Sequence, residues 1–175
     1  MDQTGAMDAT DILTDLARRP LDQLDLFWGE VHPTRLNAHP GGHPNSIAWL
    51  VWHAGRETDA QVAALAGVEE TWTAGDWPGR FGPTVPAEGH GFGHSSAEAR
   101  AVVVTDKGLL RDYLAAVTGA ATGYLGRLRS DDLGVVVDEG WHPPVTRGAR
   151  LVSIFADALQ HVGQAAYVAG MPDGD

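Results

Sequence analysis

The sequence predicts an all-α fold, an up-down-down-up-like four-helix bundle with long loops after the second and third helices. Four segments place apolar residues at the spacing of one helix face, and none alternates with the period of a strand. The chain has 175 residues, 43% of them hydrophobic and 20% charged, which is typical of one globular domain. We therefore expect a flexible leader over residues 1–8 and a single domain over residues 9–171.

The first helix is predicted to begin at Asp8 or Thr10. Pro20 lies inside it, so we expect a kink or a break there, because proline lacks the N–H that an inner helical turn needs. The apolar positions that define this helix are Ile12, Leu13, Leu16, Leu21, Leu24, Phe27 and Trp28.

The second helix follows a connection rich in proline, glycine and histidine. Ser46, or Asn45 before it, is a suitable N-cap, and about 20 residues lead to an end near Ala66 and Gly67. The next segment, residues 68–97, contains nine glycines or prolines together with four large aromatic residues. Ordered loops of this length are often functional.

The second half of the chain predicts two more helices. A short strand or extended segment is expected around Ala101–Val104, and Thr105 would cap a third helix that continues to Leu128. A loop, DLGVVVDEGWHPPVTRG, leads to a fourth helix from about Ala149 to Ala169, which Gly170 and Pro172 would end.

Charge and composition exclude several classes of function. The formal net charge is −11, so no basic surface is available for nucleic acid or for an anionic membrane. No apolar run reaches the roughly 20 residues of a membrane span, and the N-terminus has no secretory signal, so we expect a cytoplasmic protein. Cysteine is absent, so any thiol chemistry must take its sulfur from a small molecule.

Three residues on two predicted helices are candidate metal ligands. Asp157 and His161 are four residues apart on one helix face and can therefore coordinate the same metal ion. His53 on the second helix would complete a three-ligand site with open positions. The alternatives for His53 are a buried histidine with one hydrogen bond or a surface histidine on a tryptophan-flanked face. The alternative for Asp157 is a pair with Arg150 or another arginine.

The motifs PNSIAWLVWHAGRE and HVGQ, with the tryptophan-rich loop between them, resemble the DinB-like superfamily. The resemblance runs from about residue 10 to residue 170 and is strongest to the bacterial branch of thiol-dependent S-transferases. It implies a four-helix bundle that holds a divalent metal, often zinc or nickel. By position, His53 is the ligand on helix 2, and His161 is the second ligand on helix 4.

Asp157 departs from the family pattern, because most relatives have histidine and some have glutamate at its position. A carboxylate still allows three ligands but shifts the preference away from the softest metal ions. The shorter aspartate must also reach further than glutamate would.

Further residues are candidates for a second shell of the site or for substrate binding. We expect Glu57 to be a second-shell or surface residue, although its spacing from His53 leaves a four-ligand or two-metal site open. Gln164 either orients a ligand or packs between helices. Arg56, Trp141, His142 and Arg147 either hold an acidic substrate group at the mouth of the site or are ordinary loop residues. His90 and His94, in GHGFGH, are predicted to be non-ligands.

The resemblance implies a metal-dependent thiol S-transferase. A low-molecular-weight thiol, commonly mycothiol in high-GC Gram-positive bacteria, would be activated for attack on an electrophilic small molecule. The alternatives are a non-catalytic bundle that binds a metal or small ligand, and a metal-dependent hydrolase. Relatives often pair through helix faces, so a homodimer is one of the states that the resemblance allows.

Overall fold

The protein is described by a computed structural model over residues 7–172. In chain order its helices are α1 (Ala9–Trp28), α2 (Ile47–Ala66), α3 (Thr71–Ala74), α4 (Trp77–Phe81), α5 (Ser96–Ala101), α6 (Lys107–Leu125) and α7 (Arg147–Gly170). Two short antiparallel strands, β1 (Val136–Asp138) and β2 (Val145–Thr146), precede α7. Short 3₁₀ turns lie at Pro33–Arg35, Pro40–Gly42 and Ser130–Gly134.

The four long helices form the predicted bundle. α1 and α2 occupy diagonally opposite corners of the bundle, and each packs against both α6 and α7. One hydrophobic cluster joins the start of α1 (Leu13), the end of α2 (Val62), the end of α6 (Leu125) and the start of α7 (Leu151). Helices α1 and α7 therefore run in one direction and α2 and α6 in the other, which confirms the up-down-down-up arrangement.

This topology requires the long connection between α2 and α6. Because the two helices are parallel, residues 67–106 must return along the whole bundle, a length of about 30 Å for a 20-residue helix. The connection contains α3, α4 and α5 and packs its aromatic side chains on the bundle. Trp72 lies 5.5 Å from Phe81 and 5.1 Å from Tyr113 of α6, measured between ring centroids.

Of the kink or break expected at Pro20, the break is absent. α1 is continuous from Ala9 to Trp28, and Pro20 is buried on the same face as Ala17 and Leu24. Packing of that face on α6 and α7 outweighs the hydrogen bond that proline cannot make. Asp8 forms a capping box with Asp11 at the start of the helix, so the predicted leader ends in ordered structure. Residues 1–6 of that leader lie outside the described residues.

Both ends of α6 differ from prediction. Asp106, not Thr105, caps it, because its carboxylate accepts a hydrogen bond from the Gly108 N–H at 2.8 Å. The helix ends at Leu125, three residues before the predicted end at Leu128. The extended segment expected around Ala101–Val104 is present after α5, and the Asn37 side chain holds it rather than a sheet.

The small hairpin before α7 was not predicted. β1 and β2 pair irregularly over two to three residues, too few for alternation to be visible in the sequence. α7 begins at Arg147, two residues before the predicted start, with the Thr146 side chain as its N-cap. Within residues 7–172, no helix is long and apolar enough to cross a membrane.

Candidate metal centre

His53, Asp157 and His161 converge between two neighbouring helices. His53 lies on α2 and the other two on α7, and one potential ligand atom from each residue lies within 4.8 Å of the other two. The imidazole rings of His53 and His161 have centroids 4.6 Å apart. The structure therefore brings together the three candidate ligands of the sequence analysis.

His53 is held with one ring nitrogen free. Its Nδ1 lies 2.5 Å from the carbonyl oxygen of His90, which can only accept a hydrogen bond. Nδ1 therefore carries the proton, and Nε2 keeps its lone pair. Burial lowers the pKa of His53 below its ordinary value, although the His90 hydrogen bond opposes this, and nearby His161 lowers it further. The ring is consequently neutral at neutral pH, which is the form that binds a metal ion.

His161 and Asp157 face each other across one turn of α7. The Nδ1 of His161 lies 3.2 Å from the Gln164 side-chain oxygen. Its Nε2 lies 3.5 Å from Asp157 Oδ2. A metal ion between Nε2 and the carboxylate would take the place of the proton that can otherwise lie there.

Asp157 does not make the alternative ion pair. Arg150 instead contacts Asp138 of β1, with 2.7 Å between Nη2 and Oδ2. The Asp157 side chain is 47% exposed and lies on the wall of a cavity. Its carboxylate is therefore available to a ligand in that cavity.

The three side chains fit a divalent ion. Two imidazole nitrogens and one carboxylate oxygen are donors that suit zinc and nickel. Ligands that are each about 2.0–2.1 Å from a tetrahedral zinc ion are about 3.4 Å apart, and Nε2 of His161 and Oδ2 of Asp157 are already at 3.5 Å. The third donor, on His53, lies within 4.8 Å of both other ligand atoms. A cavity of about 670 Å³ adjoins all three residues and leaves room for further ligands.

A glycine-rich loop at residues 89–94 covers one side of this cavity. Gly91 has a φ of +92°, and a Cβ placed there would lie 2.9 Å from Nδ1 of His53. Nearby, Trp49 donates a hydrogen bond from Nε1 to Nδ1 of His94 at 3.2 Å. His90 and His94 were predicted only to be non-ligands, and the connection after helix 2 was expected to be long enough to fold over one mouth of the bundle; the structure gives the covering role to these particular residues. The signal was the alternation of glycines in GHGFGH, since Gly89, Gly91 and Gly93 all have positive φ.

Glu57 also contacts the loop at residues 89–94. Its Oε1 lies 2.5 Å from Nδ1 of His90, and its Oε2 accepts a hydrogen bond from Gln61 at 3.1 Å. Glu57 lines the cavity but lies outside the converging group of His53, Asp157 and His161.

Arg56 is buried beside the site and does not reach its mouth. Its Nε donates to the carbonyl oxygen of Gly89 at 3.0 Å, and its Nη1 contacts Glu70 at 2.8 Å. Tyr113 and Asp59 complete this network, and burial raises the pKa of the Tyr113 hydroxyl. Arg56 therefore holds the covering loop, and its charge is already paired.

Trp141 and Arg147 also lie away from the cavity. Arg147 begins α7, ten residues before Asp157, which is about 15 Å along the helix axis. Its guanidinium donates to the carbonyl oxygen of Asp132 at 3.2 Å. Trp141, in the hairpin before α7, is 68% exposed. The neighbouring His142 is also exposed. The direction of α7 explains the separation, because its start and its middle lie at different heights in the bundle.

Comparison with known proteins agrees with this architecture. The family profile described as the DinB superfamily matches residues 15–165. The chain belongs to this superfamily. A crystal structure described as the conserved protein of locus from Enterococcus faecalis is 35% identical to it, with a TM-score of 0.85, over 94% of this chain and 96% of that one. A search of curated proteins finds no match.

We predict that Gly91→Ala destabilises the protein more than Gly93→Ala does. Both glycines have positive φ, which costs an alanine about 1 kcal/mol, but only Gly91 is close to other side chains. Gly91→Ala should therefore lower the free energy of unfolding by about 1–3 kcal/mol more than Gly93→Ala, because the loop must move off His53. Urea unfolding monitored by circular dichroism measures the difference. Equal losses in the two variants would contradict the contact.

Proposed function

We propose that this protein is a metal-dependent thiol S-transferase. His53, Asp157 and His161 would hold a divalent zinc or nickel ion, and a low-molecular-weight thiol would attack an electrophilic small molecule. The observation that carries the proposal is the convergence of the three donors at the wall of a cavity large enough for a substrate.

The protein supplies a site but no sulfur nucleophile. Cysteine is absent from the chain, so the reacting thiol must be a co-substrate. A divalent ion held by these residues would lower the pKa of a thiol that binds to it, so that the thiol is deprotonated at neutral pH. A reducing compartment keeps such thiols available, and we therefore place the protein in the cytoplasm.

The chain's own residues would position the reaction. The His90 carbonyl contacts Nδ1 of His53, and Gln164 contacts Nδ1 of His161, so both contacts would hold the imidazole rings in place and leave Nε2 for the metal. The loop at residues 89–94 shields one side of the cavity from water. Shielding strengthens the electrostatic interactions of the bound groups and limits side reactions with solvent.

The lining of the cavity favours an uncharged thiol. Of the described residues, Glu57 and Asp157 line it, whereas no lysine or arginine does. With a divalent ion bound, the two carboxylates would balance its charge and leave no cationic group for a substrate carboxylate. This supports a neutral, mycothiol-like thiol over glutathione or bacillithiol, which carry two or more carboxylates.

Metal binding is the first test of the proposal. Titration of the metal-free protein with zinc, in competition with a chromophoric chelator, should give one site per chain. His53→Ala and His161→Ala should each weaken binding by at least about 100-fold, because each removes one of three protein ligands. The matched control is His142→Ala, which changes an exposed histidine and should leave affinity unchanged. Wild-type affinity in both ligand variants would contradict the site.

The thiol dependence is the second test. The zinc-loaded protein is assayed with 1-chloro-2,4-dinitrobenzene and with mycothiol, glutathione or no thiol. Conjugate should form faster with mycothiol, by about tenfold or more in kcat/KM, since an unmatched carboxylate in the cavity costs at least about 1.4 kcal/mol. Hydrolysis of test esters without any thiol would instead indicate a hydrolase. Absence of turnover with every thiol and ester would favour the binding-protein alternative.

A further inference from the structure

A second cavity, of about 760 Å³, adjoins the first at His161. Asn45 and His161 line both this cavity and the first one. The second cavity is bounded by the last turns of α7 and by the connection between α1 and α2. A molecule in it would therefore contact the same imidazole that the first cavity presents to a metal ion.

The walls of the two cavities differ in charge. Among the described residues the second cavity is lined by no aspartate, glutamate, lysine or arginine, whereas Glu57 and Asp157 line the first. Its walls are mainly apolar, with Leu50, Val168 and Met171 among them. Removing a charge from water into such surroundings is costly, so the chemistry of this cavity selects an uncharged and largely apolar molecule.

Polar groups at its edge can orient such a molecule. The side-chain amides of Gln160 and Gln164 line the cavity, and Gln164 also contacts Nδ1 of His161. An amide N–H can donate to a nitro or carbonyl oxygen, the groups that make a carbon atom electrophilic. The cavity therefore combines an apolar wall with donors suited to an activated aromatic ring or enone.

We propose that this second cavity is the electrophile subsite, and that the thiol occupies the adjoining carboxylate-lined cavity. This rests on the proposed function. The thiolate sulfur donates an electron pair to the electrophilic carbon and forms a C–S bond. For a haloarene, the carbon–halogen bond breaks and the halide leaves with its electron pair. For an enone, the C=C π bond breaks and the α-carbon takes up a proton from solvent. The thiol proton passes to solvent.

Gly163 offers a direct way to fill the subsite. It lies on α7 and lines the cavity, and a Cβ built on it meets no atom within 4 Å. Gly163→Leu therefore adds a side chain to the cavity without a clash. Gly119→Leu on α6 is the matched control, because Gly119 is also an exposed helical glycine with open space around it and lines neither cavity.

Binding is measured first, without any reaction. Isothermal titration with 1,3-dinitrobenzene, an uncharged analogue that has no leaving group, uses the zinc-loaded protein. Gly163→Leu should weaken this binding by about tenfold or more, the scale expected when a side chain occupies an apolar pocket, and Gly119→Leu should leave it unchanged. Wild-type binding by Gly163→Leu, or equal loss in both variants, would overturn the subsite.

Turnover then separates this inference from the proposed function. In the conjugation assay, Gly163→Leu should raise KM for the haloarene by about tenfold and leave KM for the thiol unchanged. An unchanged haloarene KM in an active enzyme overturns the subsite alone. If no thiol supports turnover, the transferase function and the assignment of the cavity to an electrophile are both wrong. If Gly163→Leu nevertheless loses dinitrobenzene binding, the cavity is still a binding site for an apolar molecule.

Two controls address folding and assembly. Circular dichroism and zinc stoichiometry report whether Gly163→Leu folds, and Gln160→Trp, at an exposed position on the same wall, is the second variant if it does not. Sedimentation velocity reports the oligomeric state. A dimer that Gly163→Leu converts to a monomer, with dinitrobenzene binding unchanged, would show that the cavity is a subunit interface and overturn the proposal.

Discussion

The hydrogen bond between Nδ1 of His53 and the carbonyl oxygen of His90 is the contact on which the site depends. It fixes the imidazole tautomer and at the same time holds the covering loop on α2. Arg56 and Glu57 hold the same loop at Gly89 and His90, so three residues at positions i, i+3 and i+4 of one helix face act together. This face of α2 therefore orients a metal-binding side chain and closes one side of its cavity.

The topology of the bundle explains why a loop is available there. Parallel α2 and α6 require a connection that returns along the bundle, and residues 67–106 pass the height of His53 on the way. Burial of Trp72 against Phe81 and Tyr113 anchors the connection. The fold thus supplies both the ligands, from α2 and α7, and the cover, from the crossover, without a second domain within the described residues.

The sequence predicted the helices well because their signals are local. Apolar spacing and N-capping residues located the bundle helices to within about three residues at each end, and the i, i+4 spacing of Asp157 and His161 placed two donors on one face. Pro20 does not interrupt α1, because packing on two neighbouring helices outweighs its local propensity. The hairpin was too short for its alternation to be seen.

The surroundings of the site depend on contacts between residues distant in sequence, which spacing does not reveal. Of the two readings left open for Arg56, the structure excludes a place at the mouth, because Arg56 is buried by partners 14 to 57 residues away, including Glu70 and Tyr113. Arg147 does not lie at the mouth either, since it precedes Asp157 by ten residues, about 15 Å along α7. The covering role of GHGFGH could not be predicted, because the sequence does not show where the connection between α2 and α6 passes over α2. Residue chemistry predicted the donors, and only the fold shows what surrounds them.

Zinc K-edge X-ray absorption of the zinc-loaded protein, recorded without and with saturating thiol, shows whether His53 and His161 hold a metal ion that also binds the thiol. In the absence of thiol we expect scattering from two imidazoles and from oxygen ligands. Addition of thiol should introduce one sulfur at about 2.3 Å from zinc while both imidazoles remain. A spectrum without imidazole scattering, or one in which saturating thiol adds no sulfur, would contradict this expectation.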